Sequence, residues 1–137
     1  MQSAGYSGTP LTKKLGIKAG FRMRLYNQPP DYFTLLTDLP ADIKILKAKT
    51  GRKNLIHYFT TELKELQRDI SSLKNEIEND GMIWISWPKK SSKVPTDITE
   101  DSIRNLALSK GLVDIKVCAI DETWSGLKLV IPVKDRK

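Results

Sequence analysis

The sequence predicts an α/β protein of three layers, built on a mainly parallel sheet with one antiparallel strand near its end. Three observations carry this expectation. Short runs of β-forming residues alternate with helical segments along the chain, and one helical segment carries a clear apolar stripe. The last two extended runs, Val113 to Ile120 and Leu127 to Val133, are separated only by Asp121 to Gly126. A connection that short joins antiparallel neighbours, whereas strands separated by a helix pair in parallel through a crossover.

Taken in order, residues 5–20 are turn-rich and polar, punctuated by Gly8, Pro10, Gly16 and Gly20, and read as an N-terminal arm over residues 1–20. A single α/β domain is expected over residues 21–137. Phe21 to Tyr26 alternates apolar residues with Arg22 and Arg24, which marks a strand and also suits a sheet edge. Pro29 and Pro30 end it. Asp31 is placed to cap a short helix from Tyr32 to about Thr37, which Pro40 closes. Ile43 to Ala48 reads as a second strand, Thr50 to Lys53 as a turn, and Leu55 to Phe59 as a third, buried strand.

The strongest periodicity follows. Leu63, Leu66, Ile70, Leu73 and Ile77 recur at steps of three and four, with Thr60 or Thr61 available as a cap. Gly81 then releases the chain into the apolar strand Met82 to Trp87. Thr99 is placed to cap a last helix, with Glu100 and Asp101 complementing its dipole and Ile103, Leu106 and Ala107 facing inward. Lys110-Gly111 ends that helix.

Composition narrows the function classes. A chain of 137 residues is of single-domain size and, at 39% hydrophobic and 28% charged, buries a real core. One cysteine, Cys118, excludes an intramolecular disulfide and suits a reducing, cytoplasmic compartment. No segment approaches the roughly 20 apolar residues that cross a bilayer, so no membrane partner is expected. The net charge of +7 is uneven: Lys13, Lys14, Lys18, Arg22 and Arg24 precede the first acidic residue, and Lys44, Lys47, Lys49, Arg52 and Lys53 form a second cluster. Most of these lysines read as solvated surface, with nucleic-acid phosphates as the sharper alternative.

The segment richest in chemistry is the end of the Met82 strand, where Trp87-Pro88 opens into Lys89, Lys90, Ser91, Ser92 and Lys93. Ammonium groups beside hydroxyls suit phosphate or carboxylate oxygens, and ligands of open α/β sheets bind beyond the carboxyl ends of the strands. Trp87 and Trp124 either wall such a site or cover the core edge, core cover being the preferred reading. If the Trp124 hairpin folds back beside the Pro88 loop, Trp124, Ser125 and Lys89 share one cleft. No catalytic residue is assigned. The only histidine, His57, sits in an apolar run and reads as packed, and one His with one Cys on different strands gives no metal-ligand spacing. Neither a GxxxxGK[ST] loop nor a GxGxxG turn is present.

From about residue 54 to residue 133 the order of elements resembles the later part of a class I methyltransferase-like Rossmann fold, a family that binds S-adenosylmethionine (SAM). That family carries a glycine-rich turn after its first strand and an acidic residue after its second. Here the corresponding segments are Tyr26-Asn27-Gln28-Pro29-Pro30 and Lys47-Ala48-Lys49, and His57-Tyr58-Phe59-Thr60 follows the third, so no cofactor is expected. At finer grain, Ala4-Gly5-Tyr6-Ser7-Gly8-Thr9-Pro10-Leu11 with Lys13-Lys14-Leu15-Gly16, the Trp87-Pro88-Lys89-Lys90 loop, and Trp124-Ser125-Gly126-Leu127-Lys128-Leu129-Val130 resemble a bacterial family catalogued as domain of unknown function 3052. That resemblance implies the fold class and an intracellular bacterial origin, and transfers no activity. Three functional classes follow, in order of support. The first is a noncatalytic Rossmann-like binding or regulatory module whose anion-accepting loop takes a phosphorylated or other anionic small molecule. The others are a nucleic-acid-associated basic protein and a degenerate methyltransferase-like enzyme.

Overall fold

The computed structural model describes residues 9–137, and residues 1–8 of the N-terminal arm lie outside them. Its elements are α1 (Leu11–Leu15), β1 (Arg22–Tyr26), α2 (Tyr32–Leu35), β2 (Lys44–Ile45), β3 (Lys53–Phe59), α3 (Leu63–Glu76), β4 (Ile77–Pro88), α4 (Glu100–Ser109), β5 (Val113–Ala119) and β6 (Trp124–Val130). One six-stranded sheet runs in the order β2-β1-β3-β4-β6-β5. The first four strands pair in parallel, and β6 inserts antiparallel between β4 and β5. The expected three-layer, mostly parallel α/β sheet with an antiparallel C-terminal strand is the observed architecture. β1 lies inside the sheet, because its crossover partners β2 and β3 flank it on both sides.

Each face of the sheet has its own core. On one, α3 and α4 pack Leu66, Ile70, Leu73, Ile103 and Ala107 against Ile56, Ile83, Ile85 and Trp87. On the other, α1 and α2 bring Leu11, Leu15, Tyr32 and Leu36 onto Met23, Leu55, Phe59 and Trp84. β4 is buried on both faces, which explains why Met82 to Trp87 is apolar without alternation. The helix α1 arises within the stretch read as a turn-rich arm. Leu11 and Leu15, four residues apart, fall on one face and are buried, and Gly16 at φ 81° terminates the turn.

Several boundaries move for physical reasons. β4 begins at Ile77, directly where α3 stops, and its pairing with β3 is irregular between the Lys53–Ile77 and Leu55–Met82 partners. Gly81 sits in that irregularity, where a Cβ would stand 3.0 Å from the carbonyl oxygens of Glu78 and Lys53. The α3 N-terminus is not capped by Thr60 or Thr61. Instead the Leu63 N–H donates to Asp97 Oδ1 at 2.8 Å from across the loop. Thr99 does cap α4, in a reciprocal capping box with Ser102. β6 starts at Trp124 because its pairing with β4 continues to Pro88, which takes Trp124, Ser125 and Gly126 out of the loop and into the strand.

Two buried polar networks cross the core. Lys53, expected on a turn and in solvent, begins β3 with no exposed surface. Its Nζ donates to the carbonyls of Ala48 (2.6 Å) and Thr50 (3.2 Å) and to Glu76 Oε1 (3.1 Å). Glu76 also accepts from Arg24 at 2.9 Å and from the Tyr26 hydroxyl at 2.7 Å. On the opposite face His57 Nδ1 is 2.9 Å from the Tyr32 hydroxyl and Nε2 is 2.7 Å from Ser86 Oγ, with Phe59 stacked on the imidazole. Burial drives the His57 pKa down to about 3, so the ring is neutral in the folded protein at neutral pH.

Two outcomes are expected. Removing Glu76 as Glu76→Ala leaves an ammonium group uncompensated in the core, and urea unfolding should register a loss of about 3–5 kcal/mol. For His57 the folded pKa lies below the unfolded value near 6.5, so the unfolded chain binds the extra proton and its uptake favours unfolding. Stability contributed by the neutral ring is complete above pH 6.5 and falls by about 1.4 kcal/mol per pH unit below it. Since His57 is the only histidine, unfolding midpoints measured between pH 7 and pH 5 should decline in the wild type and flatten in His57→Asn.

Candidate functional site

Two rims of the sheet's carboxyl edge are candidates for a site. The first is the crevice between β1 and β3, where the chain's winding reverses direction and where open α/β sheets generally receive ligands. The second is the end of β4, where the sequence places its lysines.

At the reversal crevice, β1 runs into Asn27, whose φ of 57° turns the chain sharply. The Asn27 amide donates to the Phe59 carbonyl at 3.2 Å, so a side chain spans the gap between the ends of β1 and β3. Pro29 and Pro30 follow, and Tyr32 then drops into the core beneath them. β2 pairs over only two residues and leads into Lys47-Ala48-Lys49. These residues do not fit the SAM site that a methyltransferase-like resemblance implies. The turn has no glycine through which the backbone could approach a ligand, and no carboxylate follows β2 to bind a ribose. The neighbouring Ser86–His57–Tyr32 chain has the spacing of a relay, but all three side chains are sealed in the core, where no substrate reaches them.

At the end of β4 the geometry differs. Trp87 pairs with Ser125 and Pro88 with Trp124, and beyond the strand the Lys89 N–H donates to the Thr123 carbonyl at 2.8 Å. The lysine loop and the hairpin are therefore held edge to edge. They form one wall of a cleft of about 410 Å³, whose opposite wall is the lead-in to α4. Trp87, Lys89, Lys90 and Ser125 line one side, and Thr96 to Glu100 line the other.

The remaining loop residues have other roles. Lys90 to Ser92 form a 3₁₀ turn closed by Lys93 at φ 61°. Within that turn the Ser92 hydroxyl donates to the Lys89 carbonyl at 2.6 Å and accepts from the Val94 N–H at 3.2 Å. Ser91 and Lys93 are exposed on the turn, outside the cleft lining. The two tryptophans face opposite ways. Trp87 packs with the α3–α4 core and borders the cleft, while Trp124 lies on the other face, edge-on to Phe59 with ring centroids 5.1 Å apart. The hairpin thus joins Ser125 and Lys89 in one cleft and turns Trp124 away from it.

Sequence reasoning missed the far wall. Thr99 is legible as a helix cap, but only the fold shows that Thr96, Asp97 and Glu100 come to face Lys90. The two carboxylates there are already engaged: Asp97 caps α3 through the Leu63 N–H, and Glu100 pairs with Arg104. Lys90, exposed and in none of the described ion pairs, stands at the cleft mouth.

No protein-family model matches the chain, and no curated protein matches it in sequence. Solved structures do. A SAM dependent methyltransferase from Aquifex aeolicus aligns with a TM-score of 0.64 at 13% identity, covering 88% of this chain and 87% of that one. The ribosomal protein L11 methylase from Lactobacillus delbrueckii subsp. bulgaricus gives 0.58 at 12% identity, over 88% and 74% of the two chains. Magnesium protoporphyrin IX methyltransferase from Synechocystis PCC 6803, solved with bound SAM, gives 0.57 at 9% identity, over 88% and 74%. At these identities the likeness is one of fold, and the chain has the class I SAM-dependent methyltransferase-like fold.

Proposed function

We propose that this chain is a small noncatalytic binding or regulatory module on a methyltransferase-like scaffold, taking a phosphorylated small molecule in the cleft at the carboxyl end of β4. It is read further as a cytoplasmic member of the bacterial family named above. One observation carries the proposal: the β4–β6 register continues through Pro88 and Trp124 into the Lys89–Thr123 hydrogen bond, which holds Lys89, Lys90 and Ser125 at one opening. Ammonium and hydroxyl donors converge there, and the carboxylates opposite are engaged by Leu63 and Arg104. The anionic group meets Lys90 and Ser125, while Trp87 offers an apolar edge to the rest of the ligand.

The second reading, a degenerate methyltransferase-like enzyme, draws support from the fold neighbours. Against it stand the Asn27 bridge and the absence of a carboxylate after β2. Fold class alone does not transfer a reaction.

Thermal unfolding separates the two. A ligand at about ten times its Kd adds about 1.4 kcal/mol, or roughly 4–6 °C for a domain of this size. Among inorganic phosphate, adenosine monophosphate, acetyl phosphate and SAM, a phosphorylated compound should raise Tm by that order and SAM should leave it unchanged. Lys90→Gln, a change at an exposed side chain, should reduce the shift. Stabilisation by SAM, or a phosphate-driven shift whose size Lys90→Gln leaves unchanged, overturns the proposal.

A further inference from the structure

The face of the sheet opposite the β4 cleft carries a second concentration of positive charge. Lys116 of β5 and Lys128 of β6 are direct cross-strand partners. Lys128 also pairs with Trp84, whose ring belongs to the α1–α2 core, so both lysines rise on the α1 side. Lys116 Nζ donates to the Lys14 carbonyl at 3.2 Å. Lys128 Nζ lies 3.9 Å from where a Cβ on Gly16 would stand. Both ammonium groups are thereby gathered at the carboxyl end of α1, and Lys18 follows that helix two residues beyond Gly16.

Like charges directly opposite one another destabilise a strand pair, and partial burial adds to the penalty. The Lys128 pKa is accordingly pushed below the usual lysine value, first by burial and then by Lys116 and Lys18. Proteins ordinarily relieve such crowding with a carboxylate. Among the described residues none is ion-paired with Lys18, Lys116 or Lys128. Residues 1–8 offer none either, because their sequence contains neither Asp nor Glu. The single carbonyl of Lys14 offsets part of one charge.

We propose that Lys116 and Lys128 form a phosphate-binding site on the α1 face, separate from the β4 cleft. A phosphate group has the charge to bridge two ammonium groups and enough oxygens to accept from each of them. Two sources share this chemistry, a small phosphorylated molecule and the phosphate backbone of a nucleic acid, and the experiment distinguishes them. The site does not depend on the function proposed for the cleft.

The test uses Lys90→Gln protein throughout, so that the cleft loses its exposed lysine and keeps only the half-buried Lys89. Inorganic pyrophosphate is titrated calorimetrically, and a short labelled duplex DNA is followed by anisotropy at low salt. Lys116→Gln and Lys128→Met are then added singly and together. Each substitution should weaken binding about tenfold, the size of one lost charge-assisted hydrogen bond. Loss of pyrophosphate binding assigns the small-molecule source. Loss confined to DNA, with a salt slope reduced by about one per lysine, assigns the backbone source. Lys116→Gln lies on an exposed residue and relieves repulsion, so its Tm should equal or exceed that of its parent, which controls for folding. If neither probe binds the Lys90→Gln protein, or if binding is unchanged by both substitutions, the site does not exist.

Discussion

The register between β4 and β6 is the constraint on which the rest of the molecule depends. β4 is the central buried strand, paired in parallel with β3 on one side and antiparallel with β6 on the other. Side chains alternate faces with a period of two, so a slip of one residue would exchange the environments of Trp84 and Trp87. Trp84 belongs to the α1 face, where its indole N–H donates to the Leu15 carbonyl at 3.0 Å and pins the N-terminal helix to the sheet. Trp87 belongs to the α3–α4 face and borders the cleft. Gly126 belongs to the same lock: a Cβ there would stand 3.1 Å from the Trp84 ring and 2.9 Å from the tip of Ile120. One strand pairing thus sets the position of α1, the wall of the cleft and the opposed lysines of the other face.

The buried polar groups work in the same direction as that register. An ammonium group with no exposed surface is costly unless every donor is used, and Lys53 meets this condition with two carbonyls and Glu76. Those partners come from the loop after β2 and from the last turn of α3, so the cluster joins segments that share few apolar contacts. On the face of β1 that carries Arg22, Arg24 and Tyr26, the Tyr26 ring packs against the edge of the α3–α4 core. Ion pairs and the Tyr26 hydroxyl bond to Glu76 and Glu78 do there what leucines do elsewhere. The Tyr32–His57–Ser86 chain likewise ties α2, β3 and β4 together in a core where an unpaired imidazole would be expensive.

What the sequence made legible follows from the range of the interactions involved. The α3 stripe, the continuous apolar run of β4, the Thr99 cap and the C-terminal hairpin are local patterns, and each appears where periodicity or a cap residue places it. α1 was hidden because glycine and proline punctuation outweighs a single i, i+4 pair, although Leu11 and Leu15 were the signal for it. Ile43 to Ala48 has the composition of a full strand but pairs over two residues, because β2 lies at the sheet edge and has one neighbour to hold it. Lys53 looked like surface since nothing in its neighbourhood announces Glu76, which arrives from the end of a helix 23 positions away. The near wall of the cleft was legible in Trp87 to Lys90 and Ser125. The far wall was not, since Thr96 to Glu100 reach it only once α4 has docked.

The two rims of the sheet show how a scaffold and its chemistry come apart. The topology that makes a ligand crevice at the β1–β3 reversal is intact, yet Asn27 ties the strand ends together across it and two prolines stiffen the turn above. A glycine-rich turn costs conformational entropy on folding, a cost compensated when a ligand uses the space it leaves. In this chain the turn holds a hydrogen bond and leads to a buried tyrosine. At β4, in contrast, the strand ends in a proline and the chain leaves the sheet, while the neighbouring hairpin continues alongside and opens a gap against α4. The open gap and the topological crevice thus lie at different strand pairs of one edge, which is why the fold predicts where a ligand can sit far better than it predicts which ligand that is.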